Sequence, residues 1–196
     1  RDRLDARETF GRLLHGLHVG MQLAAVHGRL VLAGLSGLEM GSDIGGSIRN
    51  PAHYCGVFGH KATWGVLPLR GHAKPGVLTP SDISVIGPLA RSAEDLRLVM
   101  EIVGGADDIH LPGWKLELPR PTQKSLGEYK IAVWADDACA PVDQSVIERV
   151  LMVAKLVEDA GGEVDFTARP EFDATDSHLQ YTNLLHSAMA ARQPDE

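Results

Sequence analysis

The chain has 196 residues and 21.1 kDa, is 44% hydrophobic and 23% charged, and carries a net charge of −7, which is mass enough for one domain, or one plus a fragment, around a sizeable core. An acidic balance argues against nucleic-acid binding, whose footprint is a basic face, and two cysteines, Cys55 and Cys139, make neither a disulfide framework nor by themselves a zinc site. No apolar run approaches the roughly 18 residues that span a membrane, and the start lacks the charged, apolar and small-residue order of a leader, so a soluble cytoplasmic protein without a membrane partner is expected.

The first thirty residues hold five arginines and three histidines, His15, His18 and His27, with no lysine and no serine. His15 and His18 stand one helical turn apart, but no carboxylate or thiol completes a ligand set at useful spacing, so no metal is expected there. Mixed charges also make this stretch a poor membrane anchor. Glycines then crowd the segment from 34 to 76: Gly34, Gly37, Gly41, Gly45, Gly46, Gly56, Gly59, Gly65, Gly71 and Gly76. They have no fixed period, which excludes collagen and solenoid repeats. Clustered glycines mark backbone that turns sharply or approaches something closely.

Leu38-Glu39-Met40 reads as the end of a strand, and Pro51 suits the first turn of a helix. Ser92-Ala93-Glu94-Asp95 is a capping-box-like start. Leu96, Val99, Met100 and Val103 follow at helical spacing until Gly104-Gly105. Lys130 to Trp134 is a short buried strand. From Asp143 a long helix repeats Val146, Ile147, Val150, Val153, Ala154 and Val157 on one face, ending at Gly161-Gly162. A strand starts at Val164-Asp165-Phe166, and a last helix over 175–192 turns Leu179, Thr182, Leu185, His186 and Met189 inward. The strand–helix–strand run predicts an α/β fold, with helices on the faces of a sheet.

The segment Gly41-Ser42-Asp43-Ile44-Gly45-Gly46-Ser47-Ile48-Arg49-Asn50-Pro51-Ala52 is unlike core packing. Two adjacent glycines put bare backbone directly before a serine. Successive N–H groups in a tight turn point into one concavity and hold negative charge. A serine attacking a carbonyl needs such donors for its oxyanion, and a phosphate would use them equally well. No Gly-Lys-Ser/Thr follows and no Gly-x-Gly-x-x-Gly occurs. The Gly-x-Ser-x-Gly elbow is absent too, since Ile48 and Arg49 follow Ser47. From the residues alone an oxyanion loop, a phosphate loop and a structural turn all remain open.

That segment resembles the central motif of the amidase signature family. The similarity continues through Cys55-Gly56-Val57-Phe58-Gly59-His60-Lys61-Ala62-Thr63-Trp64-Gly65 and resumes at Ile86-Gly87-Pro88-Leu89-Ala90-Arg91-Ser92-Ala93-Glu94-Asp95-Leu96. It covers 34–105 strongly and 125–196 more loosely. The resemblance implies an α/β fold with a mixed central sheet and helices on both faces, present here only in part. It implies hydrolysis of amide C–N bonds through a Ser–cis-Ser–Lys triad, with a small-molecule amide as substrate and neither cofactor nor metal. Ser47 matches the nucleophile. The backbone N–H groups of Ile44, Gly45, Gly46 and Ser47 match the oxyanion hole, and Asp43 and Arg49 match polar positions that hold the loop. Lys61 stands where the family has a non-catalytic lysine before proline, here Ala62. His53, His60 and His72 lie near the loop in sequence, but the resemblance gives none of them a catalytic role.

The sequence departs from the pattern upstream. The bridging serine falls near Leu23, yet no serine precedes Ser36, and no lysine precedes Ser47. The expectation is an incomplete chain: a divergent segment over 1–33 and a partial amidase-signature domain over 34–196. An unactivated serine is a weak nucleophile, so its amidase activity is expected to be impaired. The alternative is a non-catalytic fragment or assembly module that keeps the loop for structure, with a phosphate-binding domain as a further class. Within the family, Ile44, Asn50 and the acidic charge favour a general amidase over the A-type component of a glutamine amidotransferase. Open strand edges would allow a homo-oligomer.

Overall fold

A computed structural model describes residues 26, 28–69, 72, 82–107 and 109–190. The readings of His15, His18, His27, Gly71, Gly76, the position near Leu23 and the end of the last helix lie outside the described residues. Two compact units divide the chain, with boundaries after Glu117 and after Asn183.

In the first unit, helix α1 (described over 28–32) leads into strand β1, Leu38–Asp43. Helix α2, Arg49–Cys55, strand β2, Phe58–Gly59, strand β3, Val85–Ala90, and helix α3, Ala93–Val103, follow. The sheet is antiparallel in the order β1-β3-β2, with Gly41 opposite Gly87 and Gly59 opposite Leu89. All of β3 is buried, as suits a central strand, and its alternating side chains serve two cores. On one face Ile86 joins Ala62 and Leu67, covered by Met40 and by Met100 and Val103 of α3. On the other Leu89 meets Val31 of α1, Ile48 and Ala52 of α2. This sheet therefore carries helices on both faces.

The expected start of α3 is borne out: Ser92 Oγ accepts the Asp95 N–H at 3.1 Å. Strand β1 runs three residues beyond Met40, to Asp43. That extension puts Asp43 at the lip of the sheet, directly before the loop.

The second unit holds a 3-10 turn, Leu126–Glu128, strand β4, Lys130–Ala132, helix α4, Gln144–Asp159, and strand β5, Glu163–Asp165. Helix α5, Ala174–Ala190, begins here. Strands β4 and β5 are parallel, pairing Ile131 with Val164, so the predicted strand–helix–strand unit is present. Antiparallel and parallel pairs together give the α/β class expected from the sequence. Asp143 caps α4 by accepting the Ser145 N–H at 2.8 Å.

Some expected details differ. Strand β4 stops before Trp134, whose ring instead lies 5.5 Å from the Arg169 guanidinium. Strand β5 stops before Phe166, because the Asp165 carboxylate turns back to take the N–H groups of Thr167 and Ala168. Within α4 only Ala154 and Val157 are buried, and Val153 is 55% exposed. In α5 Leu185 is buried and Thr182 and Met189 are half-buried, whereas Leu179 and His186 are exposed.

Candidate active site

The loop from Ile44 to Ile48 joins β1 to α2, and one carboxylate organises it. Asp43 is fully buried. Its Oδ1 accepts the Gly46 N–H at 2.7 Å, and its Oδ2 accepts the N–H groups of Ile48 at 3.1 Å and Arg49 at 3.3 Å. The Arg49 fork closes on the same carboxylate, Nε to Oδ2 at 3.0 Å and Nη2 to Oδ1 at 3.0 Å. Such paired, charge-assisted bonds fix direction as well as distance. Burial by itself raises the Asp43 carboxyl, but the Arg49 fork and the N–H groups of Gly46 and Ile48 outweigh it and hold the group below its usual range. Asp43 is therefore an anion at neutral pH.

The turn requires glycine at 46. Its φ is +111°, and a Cβ there would lie 2.7 Å from Asn50 Nδ2. The Gly46 carbonyl accepts the Asn50 N–H at 2.8 Å, which starts α2. Ser47 sits on the shoulder of this turn, half-buried, beside an exposed Gly45. Among the described residues, neither the Ser47 hydroxyl nor the N–H groups of Gly45 and Ser47 have a hydrogen-bond partner. Polar donors left open beside a hydroxyl, in a turn held rigid from below, suit a tetrahedral oxyanion.

The structure divides the expected donor set. Gly46 spends its N–H on Asp43, whereas Gly45 and Ser47 keep theirs. Asp43 and Arg49 meet directly, as a loop brace requires. Lys61, His53 and His60 are exposed, and the His60 N–H serves the sheet by donating to the Pro88 carbonyl at 3.0 Å.

One part of the arrangement was not read from the sequence. Ile48, the residue after Ser47, is completely buried and packs on Gly41, Gly59 and Gly87, one from each strand of the sheet. The glycine cluster was the available signal. It combines sharp turns, as at Gly46, with close approaches, as at Gly41 and Gly59.

A shallow cleft of about 280 Å³ in the second unit is lined by Trp134, Asp137, Arg169, Phe172 and Asp173, among others. Its charged groups already serve the loops around it. Arg169 Nη1 donates to the Ala168 carbonyl at 2.7 Å, Asp137 accepts the Cys139 N–H at 2.9 Å, and Asp173 accepts the Asp176 N–H at 2.9 Å. Among the described residues no three of His, Cys, Asp and Glu converge as a metal site requires, and no helix is long and apolar enough to cross a membrane. Both cysteines are free thiols.

Residues 27–195 match the family profile described as Amidase. The chain is 37% identical over 152 residues to the A component of the mitochondrial glutamyl-tRNA(Gln) amidotransferase of Drosophila pseudoobscura pseudoobscura, covering 74% of this chain and 29% of that protein. Among solved structures, the A component of the glutamyl-tRNA(Gln) amidotransferase from Thermotoga maritima superposes with a TM-score of 0.67 at 26% identity, covering 86% of this chain and 37% of that one. Fatty acid amide hydrolase superposes with a TM-score of 0.62 at 25% identity over 87% of this chain and 32% of that one. The chain thus spans about a third of the length of these relatives.

Proposed function

The chain belongs to the amidase family, and on that footing we propose that Ser47 is an acyl-accepting nucleophile for amide C–N bonds, in a chain whose hydrolytic turnover is impaired. The observation that carries the reading is the Asp43-braced turn, which leaves the Ser47 hydroxyl and the N–H groups of Gly45 and Ser47 unengaged together. In the reaction Ser47 Oγ bonds to the carbonyl carbon, and the two N–H groups receive the charge that develops on the carbonyl oxygen. The C–N bond then breaks and the departing nitrogen takes up the serine proton. Water hydrolyses the resulting ester, which releases the acid and restores Ser47.

The impairment is proposed for these 196 residues as they stand. No lysine precedes Ser47 and no serine precedes Ser36, so the expected triad partners have no counterpart in this sequence. Proton removal then falls to solvent, at a cost of about 10²–10⁴ in rate. Labelling with a fluorophosphonate, read by intact mass, is expected to give one slow adduct that Ser47→Ala abolishes. A folded sample labelled elsewhere, or not at all, contradicts the nucleophile. Rapid amide turnover at neutral pH, lost in Ser47→Ala, contradicts the impairment.

A second reading, a component that transfers an amide within a larger assembly, is favoured by the names of the amidotransferase relatives. The general reading is preferred because the net charge of −7 lends no support to RNA contact. Adduct formation from glutamine analogues but not from simple aryl amides would reverse that preference.

A further inference from the structure

We propose that Ile48 is the positioning residue of the Ser47 loop, a steric key whose seat in a three-glycine slot sets where the hydroxyl and the open N–H groups lie. The proposal rests on the reading of Ser47 given above and adds how its geometry is held from the sheet side.

Three observations converge on it. First, the slot crosses the whole sheet of the first unit. A Cβ at Gly41 in β1 would lie 3.2 Å from Ile48 Cγ1, one at Gly59 in β2 would lie 3.2 Å from Cγ2, and one at Gly87 in β3 would lie 3.2 Å from Cδ1. Each side-chain carbon beyond Cβ therefore lies against one of these glycines, two of which also admit Ala52 Cβ (at Gly59) and the His60 carbonyl (at Gly87), and Gly41 and Gly87 stand directly opposite each other in the ladder. Bare backbone at these points lets the loop sit lower on the sheet than any side chain would permit.

Second, Ile48 is the N-cap of α2 and makes no side-chain cap. Isoleucine is among the worst residues for that position, where Ser, Thr, Asp or Asn would satisfy an N–H of the first turn. Asp43 takes the Ile48 and Arg49 N–H groups from across the loop instead, and the Gly46 carbonyl takes that of Asn50. A local rule broken next to the site, with the compensation placed elsewhere, indicates that the side chain serves another purpose.

Third, the backbone of Ile48 joins the two halves of the arrangement. Its N–H is held by Asp43, and its carbonyl accepts the Ala52 N–H at 3.1 Å. A β-branched side chain is stiff at χ1, so fixing its branches fixes the backbone that carries Ser47. Asp43 holds the turn by charge and Ile48 holds it by shape.

The test compares labelling rates and melting temperatures for Ile48→Leu, Gly41→Ala and a control, Val99→Ala, in the full chain. Ile48→Leu keeps the carbon count and moves the branch, whereas Gly41→Ala pushes a methyl against Cγ1. Both are expected to lower the rate of Ser47 adduct formation at least tenfold at temperatures where they remain folded. Val99→Ala, buried in α3, is expected to lose thermal stability while labelling within twofold of the parent. Rates within twofold of the parent for Ile48→Leu and Gly41→Ala would overturn the proposal. Hydrogen exchange gives a readout independent of Ser47 chemistry: protection of the Gly46 and Ile48 amides is expected to fall at least tenfold in Gly41→Ala, and unchanged protection overturns the key. A parent chain that never labels, with amide protection sensitive to Gly41→Ala, contradicts the nucleophile and upholds the key.

Discussion

Asp43 shows how one buried charge makes a loop. Five hydrogen bonds converge on its two oxygens, and three come from backbone N–H groups that nothing else in the turn would satisfy. Removing the carboxylate strands those donors, so Asp43→Ala is expected to lose about 2–4 kcal/mol in urea unfolding. The pH dependence has a definite sign. The folded-state carboxyl lies below its ordinary value of about 3.9, so its stabilisation is complete above that pH and is lost as pH falls through the folded value. Urea midpoints should therefore drop as pH falls below about 4, and Asp43→Asn should flatten that drop. Ser47→Ala touches no partner and should stay within about 0.5 kcal/mol of the parent. That Asp43 and Arg49 brace the loop was legible from the family resemblance and from their spacing. That Gly46 gives its N–H to Asp43 was not, because sequence does not say which of two acceptors a donor meets.

At the scale of elements, the sheet of the first unit depends on what is absent from it. A Cβ at Gly87 would overlap the His60 carbonyl oxygen. That atom belongs to the backbone and cannot swing away, so Gly87→Ala is expected to cost about 3 kcal/mol or to prevent folding, with the loss visible in far-UV melting. Ser92→Ala, which removes the α3 cap, should cost about 1 kcal/mol by the same measurement. The helix starts at Ser92 and Asp143 were readable in advance, because capping is chemistry local to a few residues, whereas the Asp173 cap of α5 was not read. Strand ends were less readable. Trp134 and Phe166 look like strand residues by composition, but Arg169 draws the one into a stacked contact and Asp165 turns the chain before the other. Those partners lie beyond the window that a periodicity argument inspects.

For the whole molecule, the sequence disclosed the α/β class because strands and helices alternate with different periods, and it disclosed the lineage because long motifs coincide. Burial was harder to foresee. In α4, apolar residues occur on more than one side, and Leu151, Met152, Val153 and Leu156 remain 42–55% exposed, so the pattern alone did not specify which side faces inward. The central proposal concerns the site: within these 196 residues, Ser47 acts from an Asp43-braced turn with no protein base. The direct measurement is the rate of Ser47 labelling by a fluorophosphonate from about pH 6 to pH 9, followed by intact mass. Without a protein base the rate should rise about tenfold per pH unit with no plateau. A plateau near neutrality would mean that a base serves Ser47 within this chain, and would contradict the account.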